Sequence, residues 1–280
     1  MTFPVRAYVP RRAAGAAGAV LLLAAGAVGC GGGAEQSSAE SAAAAVARAA
    51  KKTQAVTSVH YRLSGRIPEQ GRVEAEASVG TKPAVARLTT STIGGDHPTV
   101  SELRLVDGVL YQRQSENGVA QQVHGRHWAG FGDTAGFTAG GGLRMDTGGL
   151  RDQVGHNPAR DAALLAASDD VRQAGTEKVD GVATTHYTAT AKLDDLRAAL
   201  ESKEKKGLLQ YDNLGVDELT LDVWIDGEDH VKRLRTQGFG RHGQLDLTVT
   251  FLDFGRPVTV RAPAEDDTVD LSKPSKQGRG

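Results

Sequence analysis

Alternation with a period of two runs through much of this chain and leaves it few folds to adopt. Val59, Tyr61, Leu63 and Ile67 are interleaved with His60, Arg62, Ser64 and Arg66, and Val73, Ala75, Ala77 and Val79 with Glu74, Glu76 and Ser78. Successive side chains of a strand point to opposite faces, so each run has one apolar and one polar face. The pattern returns in Leu103/Leu105, in Leu219/Leu221/Val223/Ile225 and in Leu245/Leu247/Val249/Phe251. Asp107-Gly108, Asn117-Gly118, Asp180-Gly181 and Asp226-Gly227 stand between such runs and offer the positive φ that tight hairpins need. These features predict an antiparallel meander. Helical signals interrupt it at 42–50, where alanines follow Ser38 and Ser41 and precede Lys51-Lys52, at 159–167 behind Pro158, and at 193–200, where leucines recur at helical spacing. One sheet with one apolar face must bury that face, by curling on itself or by packing helices against it.

The N-terminus has a different character. Arg6, Arg11 and Arg12 precede an uncharged, small-residue run over 13–28, the layout of an export signal. Cys30, the only cysteine, follows it. Ala27-Val28-Gly29-Cys30 resembles the lipobox of bacterial lipoproteins, although Ala27 replaces the leucine usual at that place. The resemblance implies cleavage before Cys30 and a diacylglycerol on its sulfur; the alternative is an ordinary signal peptide cut after Ala25-Gly26-Ala27. Without residues 1–29 the chain has 30 basic and 34 acidic side chains, a net of −4, and no basic excess to recruit nucleic acid. It also has no cysteine pair, so its stability rests on a buried core. The predicted organisation is a signal peptide at 1–29, a Gly/Ser-rich flexible tether at 30–39, one domain at 40–271 and a solvated tail at 272–280.

Three later stretches carry a family resemblance: Gly175-Thr-Glu-Lys-Val-Asp-Gly-Val-Ala-Thr-Thr-His-Tyr187; Asp222-Val-Trp-Ile-Asp-Gly227 with Lys232-Arg-Leu-Arg235; and Phe251-Leu-Asp-Phe-Gly-Arg-Pro-Val-Thr-Val260. They resemble actinobacterial lipoproteins of the LppX/LprG type. The resemblance implies an α+β fold like that of the LolA carrier, a curved antiparallel β-sheet (half-barrel) with a few helices on its concave face. It also implies binding or transfer of a lipid or acylated glycolipid at the outer face of the cytoplasmic membrane, with the chain held there by its N-terminal lipid.

On that reading the candidate cavity wall is Val73, Ala75, Ala77, Leu221, Val223, Leu247 and Val249. The alanines are small, and aromatic residues make up only 5% of the chain, so a broad sheet can leave space; equally, the helices can fill it. Residues 125–149 hold nine glycines with Trp128, Phe131 and Phe137 among them, either a flap over an apolar mouth or an expanded surface loop. Gly140-Gly141-Gly142-Leu143-Arg144 lacks the Gly-Lys-Ser/Thr ending of a phosphate-binding loop. His124 and His127 have no nearby cysteine or carboxylate cluster to complete a zinc site, and His186 reads as a strand-face residue. No Gly-x-Ser-x-Gly occurs, and the adjacent acids at 169–170, 194–195 and 266–267 suit solvation or helix starts. Neither an enzyme nor a cofactor is expected. A lipid carrier, a platform for an envelope protein partner and a secreted hydrolase remain as functions, the last disfavoured by its missing constellations.

Overall fold

The computed structural model describes residues 33–93, 98–132, 137–138, 144–145, 158–200, 205 and 208–271. The chain starts with helix α1 (Gly33–Gln54) and continues into strands β1 (Ser58–Ile67), β2 (Gly71–Thr81), β3 (Ala84–Ile93), β4 (Thr99–Val106), β5 (Val109–Glu116), β6 (Val119–Ala120) and β7 (Trp128–Phe131). A small separate hairpin pairs β8 (Phe137–Thr138) with β9 (Arg144–Met145). A 3-10 turn (Pro158–Asp161) leads into α2 (Ala162–Ala166), followed by β10 (Arg172–Val179), β11 (Val182–Lys192), α3 (Leu193–Ala199) and α4 (Leu209–Asn213). The last strands are β12 (Glu218–Asp226), β13 (Val231–Gly240), β14 (Gly243–Phe254) and β15 (Thr268–Asp270).

The main sheet runs β10-β11-β12-β13-β14-β1-β2-β3-β4-β5-β7-β15, with β6 paired to β5. Its pairings are antiparallel except the short parallel one between β7 and β15. This is the expected α+β fold with a large antiparallel sheet and a few helices, but the half-barrel expectation is wrong: the sheet is open. Its two outermost strands, β10 and β15, do not pair with each other. The reason is visible at those edges. Strand β10 exposes Arg172, Gln173, Glu177 and Lys178 and buries only Val179, and β15 is three residues long. Charge and brevity blunt these edges, which therefore need no closure. Alternation reports which face is buried, and carries no information on how far the sheet curls.

The predicted turns form where their chemistry directs. Asp107/Gly108, Asn117/Gly118 and Asp180/Gly181 all take positive φ at both positions, the signature of two-residue hairpins. The β12–β13 connection differs. Asp226 Oδ1 accepts hydrogen bonds from the backbone N–H groups of Glu228 and His230, both at 2.9 Å, which widens the loop and moves the positive φ from Gly227 to Asp229. Helix α1 also differs from expectation at its start. It begins at Gly33, so most of the stretch assigned to a tether is helical, since Ala34 to Ala39 contains no proline to stop a helix growing from its alanine-rich centre. Residues 30–32 lie outside the described ones, as does the tail at 272–280.

One side of α1 is apolar. Ala42, Ala45, Val46, Ala49, Ala50 and Thr53 are buried, a three-to-four-residue spacing that gives a continuous stripe. This stripe packs mainly on α2, the 3-10 turn and strands β10, β12 and β13. At the C-terminal end of α1, Arg48 pairs with Asp229 at 3.7 Å and Lys52 donates to the carbonyl of Glu228, fixing that end at the β12–β13 loop. Helix α2 adds Ala162, Leu164 and Leu165 to the same layer. No described helix is long and apolar enough to cross a membrane.

Candidate functional site

Register places the seven expected wall residues on one face. Val73 lies opposite Gly65, Gly65 opposite Leu247, Leu247 opposite Thr236, and Thr236 opposite Leu221. The neighbouring row runs Ala75, Leu63, Val249, Leu234, Val223, and a third joins Ala77 to Tyr61 and Phe251. Directly opposed residues of paired strands share a face, so these rows form one apolar surface five strands wide between β2 and β12. Val73, Ala75, Ala77, Leu221, Val223 and Val249 are buried and Leu247 is partly so. Gly65 sits in the middle of this surface with φ +153°, and a Cβ there would meet the Asp246 carbonyl oxygen at 1.9 Å, so β1 and β14 approach only because that position has no side chain.

A polar group lies within this surface. Tyr61 and Tyr211 are buried, and both lie within electrostatic reach of the Asp161 carboxylate at the base of α2. Burial, reinforced by that carboxylate, pushes the Tyr61 hydroxyl up to about 12. The same two causes raise Tyr211, against hydrogen bonds to Thr236 and Gln210 that pull it down. Thr236 is itself buried in the row of Leu221 and Leu247, so one hydroxyl stands among the wall residues. The alternating pattern conceals this cluster, because its members come from β1, the 3-10 turn, α4 and β13. Two cavities, of about 270 and 260 Å³, lie away from these rows, one beside Thr89 and Arg113 and the other between the β1–β2 and β13–β14 turns.

The three aromatic residues of the glycine-rich stretch do not come together. Trp128 and Phe131 are both in β7 and both buried, on opposite faces of the sheet. Phe131 lies opposite Leu110 on the apolar side, whereas Trp128 has the guanidinium of Arg104 4.5 Å from its ring centre and that of Arg113 at 5.1 Å. Phe137 is in β8, opposite Met145. Cys30 lies outside the described residues.

Polar-face histidines are engaged in local pairs. His186 Nε2 is 2.8 Å from Asp222 Oδ1, and its ring stacks on Trp224 at 4.3 Å. His127 Nδ1 is 2.8 Å from Asp267 Oδ1, which also accepts the His127 backbone N–H at 3.0 Å; these contacts hold the Asp267 carboxyl below its ordinary range. Among the described residues no group of three or more His, Cys, Asp or Glu side chains is arranged to hold a metal ion.

No family model matches the chain. It is 30% identical over 175 residues to a 31.2 kDa protein from the rplA-rplJ intergenic region of Streptomyces griseus, covering 60% of this chain and 56% of that one. It is 28% identical over 223 residues to the lipoarabinomannan carrier protein LprG of Mycolicibacterium hassiacum, covering 78% and 82%. The chain spans little more than half the length of the Streptomyces relatives it matches. Among solved structures it is similar to the Mycobacterium tuberculosis lipoprotein LppX, with a TM-score of 0.48 and 16% identity, covering 79% of this chain and 99% of that one. None of these relatives' names denotes an enzyme. Its relationship to the actinobacterial LprA and LprG lipoproteins is distant.

Proposed function

We propose that this protein is an envelope lipoprotein, anchored through Cys30 at the outer face of the cytoplasmic membrane, that binds or transfers a lipid or acylated glycolipid. Its acyl chains would lie along the apolar face between β2 and β12, against Val73, Ala75, Ala77, Leu221, Val223, Leu247 and Val249. The observation that carries this reading is the register: residues from three separated strands, β2, β12 and β14, fall into adjacent rows of one apolar surface, small on the β2 side. Non-directional apolar contact suits flexible acyl chains, and the buried hydroxyls of Thr236, Tyr61 and Tyr211 offer the few polar contacts that fix a ligand's orientation. Similarity to a lipoarabinomannan carrier supports the same reading. On this proposal residues 40–271 form the binding domain, and the N-terminal segment supplies attachment; two or three acyl chains give lasting anchoring where one does not.

Native mass spectrometry of the full-length protein extracted from its own membranes tests the proposal. A folded species heavier than the acylated chain by one lipid is the expected result. A species with no non-covalent lipid under conditions that preserve other lipid carriers would refute it.

A further inference from the structure

We propose that the polar face of the sheet carries a second site, built on Arg87 and Arg113, that takes a phosphoryl group or another tetrahedral dianion. Three guanidinium groups from β3, β4 and β5 converge there on one carboxylate. Arg87 Nε and Arg104 Nη2 lie 2.9 Å from Glu102 Oε1, and Arg113 Nη2 lies 2.9 Å from Glu102 Oε2. The Glu102 side chain is only 5% exposed. Three cations around one anion leave a surplus of two positive charges, enough to balance a dianion.

The guanidinium groups are also held in place. Trp128 stacks beneath Arg104 and Arg113, and Arg104 also donates from Nε to Glu102 Oε1 at 2.9 Å and from its remaining nitrogen Nη1 to the carbonyl of Arg261 at 3.1 Å. Arg104 is thereby spent on structure. Arg87 and Arg113 differ: each meets Glu102 through one nitrogen, and their side chains are 57% and 47% exposed, so N–H groups remain directed at solvent. An arginine already fixed by a carboxylate and a ring loses little further freedom when it binds a ligand. The cavity of about 270 Å³ opens beside Arg113, bordered by Thr89 and Ser115, whose neutral hydroxyls are able to complete a dianion's hydrogen bonds. Glu76, beyond Thr89 along the same row, sets the ligand toward the β5 side. The site is independent of acyl chains binding the opposite face.

A lipid phosphate and free inorganic phosphate share this chemistry, and the test separates them. The full chain carrying Trp224→Phe, so that Trp128 is the only reporter tryptophan, is titrated with inorganic phosphate while its fluorescence is followed. The same Trp128 fluorescence is then followed as phosphatidylcholine vesicles with and without phosphatidic acid are added, since the N-terminal acyl chains attach the protein to both and only the signal at the site distinguishes them. The site predicts saturable binding of phosphate, of phosphatidic acid vesicles, or of both, weakened about tenfold by Arg113→Gln and by Arg87→Gln, since each removes one charge-assisted contact. Response to phosphatidic acid alone assigns the site to a lipid headgroup; response to phosphate assigns it to the free ion. Arg87→Gln leaves Glu102 two partners, so it is the deciding variant if Arg113→Gln lowers the melting temperature. Absence of binding in both arms, or binding unchanged in both variants, overturns the site.

Discussion

Across β12, β13 and β14 the apolar face consists of Leu219, Leu221, Val223, Leu234 and Leu245, each at most 3% exposed, with α1 and α2 packed over β12 and β13. Across β2, β3 and β4 the same face still buries Val73, Val79, Leu103 and Leu105, but between them it carries the small Ala75, Ala77 and Ala86 and the hydroxyl-bearing Thr90, Thr92 and Ser101, and most of β3 is only half-buried. The alternation is the same in both halves; the side-chain volume is not. The contrast teaches that one sheet face can serve two ends. Large aliphatic side chains meeting helices supply the close-packed core that holds the fold, whereas small and hydroxyl-bearing side chains leave a surface less committed to internal contacts. The proposed acyl site spans the boundary, with Leu221 and Val223 on the filled side and Ala75 and Ala77 on the sparse side.

Mutations on the two sides should therefore differ in scale. Leu221→Ala deletes buried methyl groups under the helices and should lower stability by about 2–5 kcal/mol in urea unfolding. A loss below about 1 kcal/mol would mean that the filled half is not close-packed. Tyr61, at the junction, gives a pH test. Its raised hydroxyl means that the folded state holds the proton more tightly than the unfolded chain, whose value is near 10. The associated stability is whole below pH 10 and is lost as pH rises toward 12. Tyr61's share of the loss should reach about 3 kcal/mol at most, and the pH dependence should shrink by that share in Tyr61→Phe while the part due to Tyr211 remains, monitored by denaturation midpoints across that window. Gly65→Ala would force β1 from β14 at the Asp246 carbonyl and should cost about 1–3 kcal/mol, visible as a lower melting temperature. Ser101→Ala, on the sparse side, should change stability by no more than about 0.5 kcal/mol; a loss like that of Leu221→Ala would erase the distinction between the halves.

Sequence patterning reveals strands β1, β2, β12 and β14, because each is long and alternates cleanly, and three hairpin turns, because Asp-Gly and Asn-Gly tolerate positive φ. It does not reveal α4, five residues long with Leu209 exposed and no repeat to read, or β15, whose three residues are shorter than any period. Nor can it show that the sheet is open, since alternation says nothing of what the outermost strands do. For the site, the apolar face is legible at all seven positions, but what lies against that face is not. Trp128 escapes the pattern for a related reason: β7 is buried at all four positions, so its two faces carry no contrast, and only the register puts the ring beneath Arg104 and Arg113. The arginine cluster has a faint signal in Glu102 and Arg104 at alternate positions, but its assembly requires the pairing of β3, β4 and β5.

Ala77→Trp tests the central claim most directly, with a fluorescent fatty acid and a thermal melt measured on the same full-length preparation. If acyl chains occupy the space above Ala77, the indole should block probe binding while the melting temperature stays near that of the parent. In a filled core the same substitution would cost about 1–3 kcal/mol through overpacking. A lowered melting temperature with probe binding intact would contradict the account.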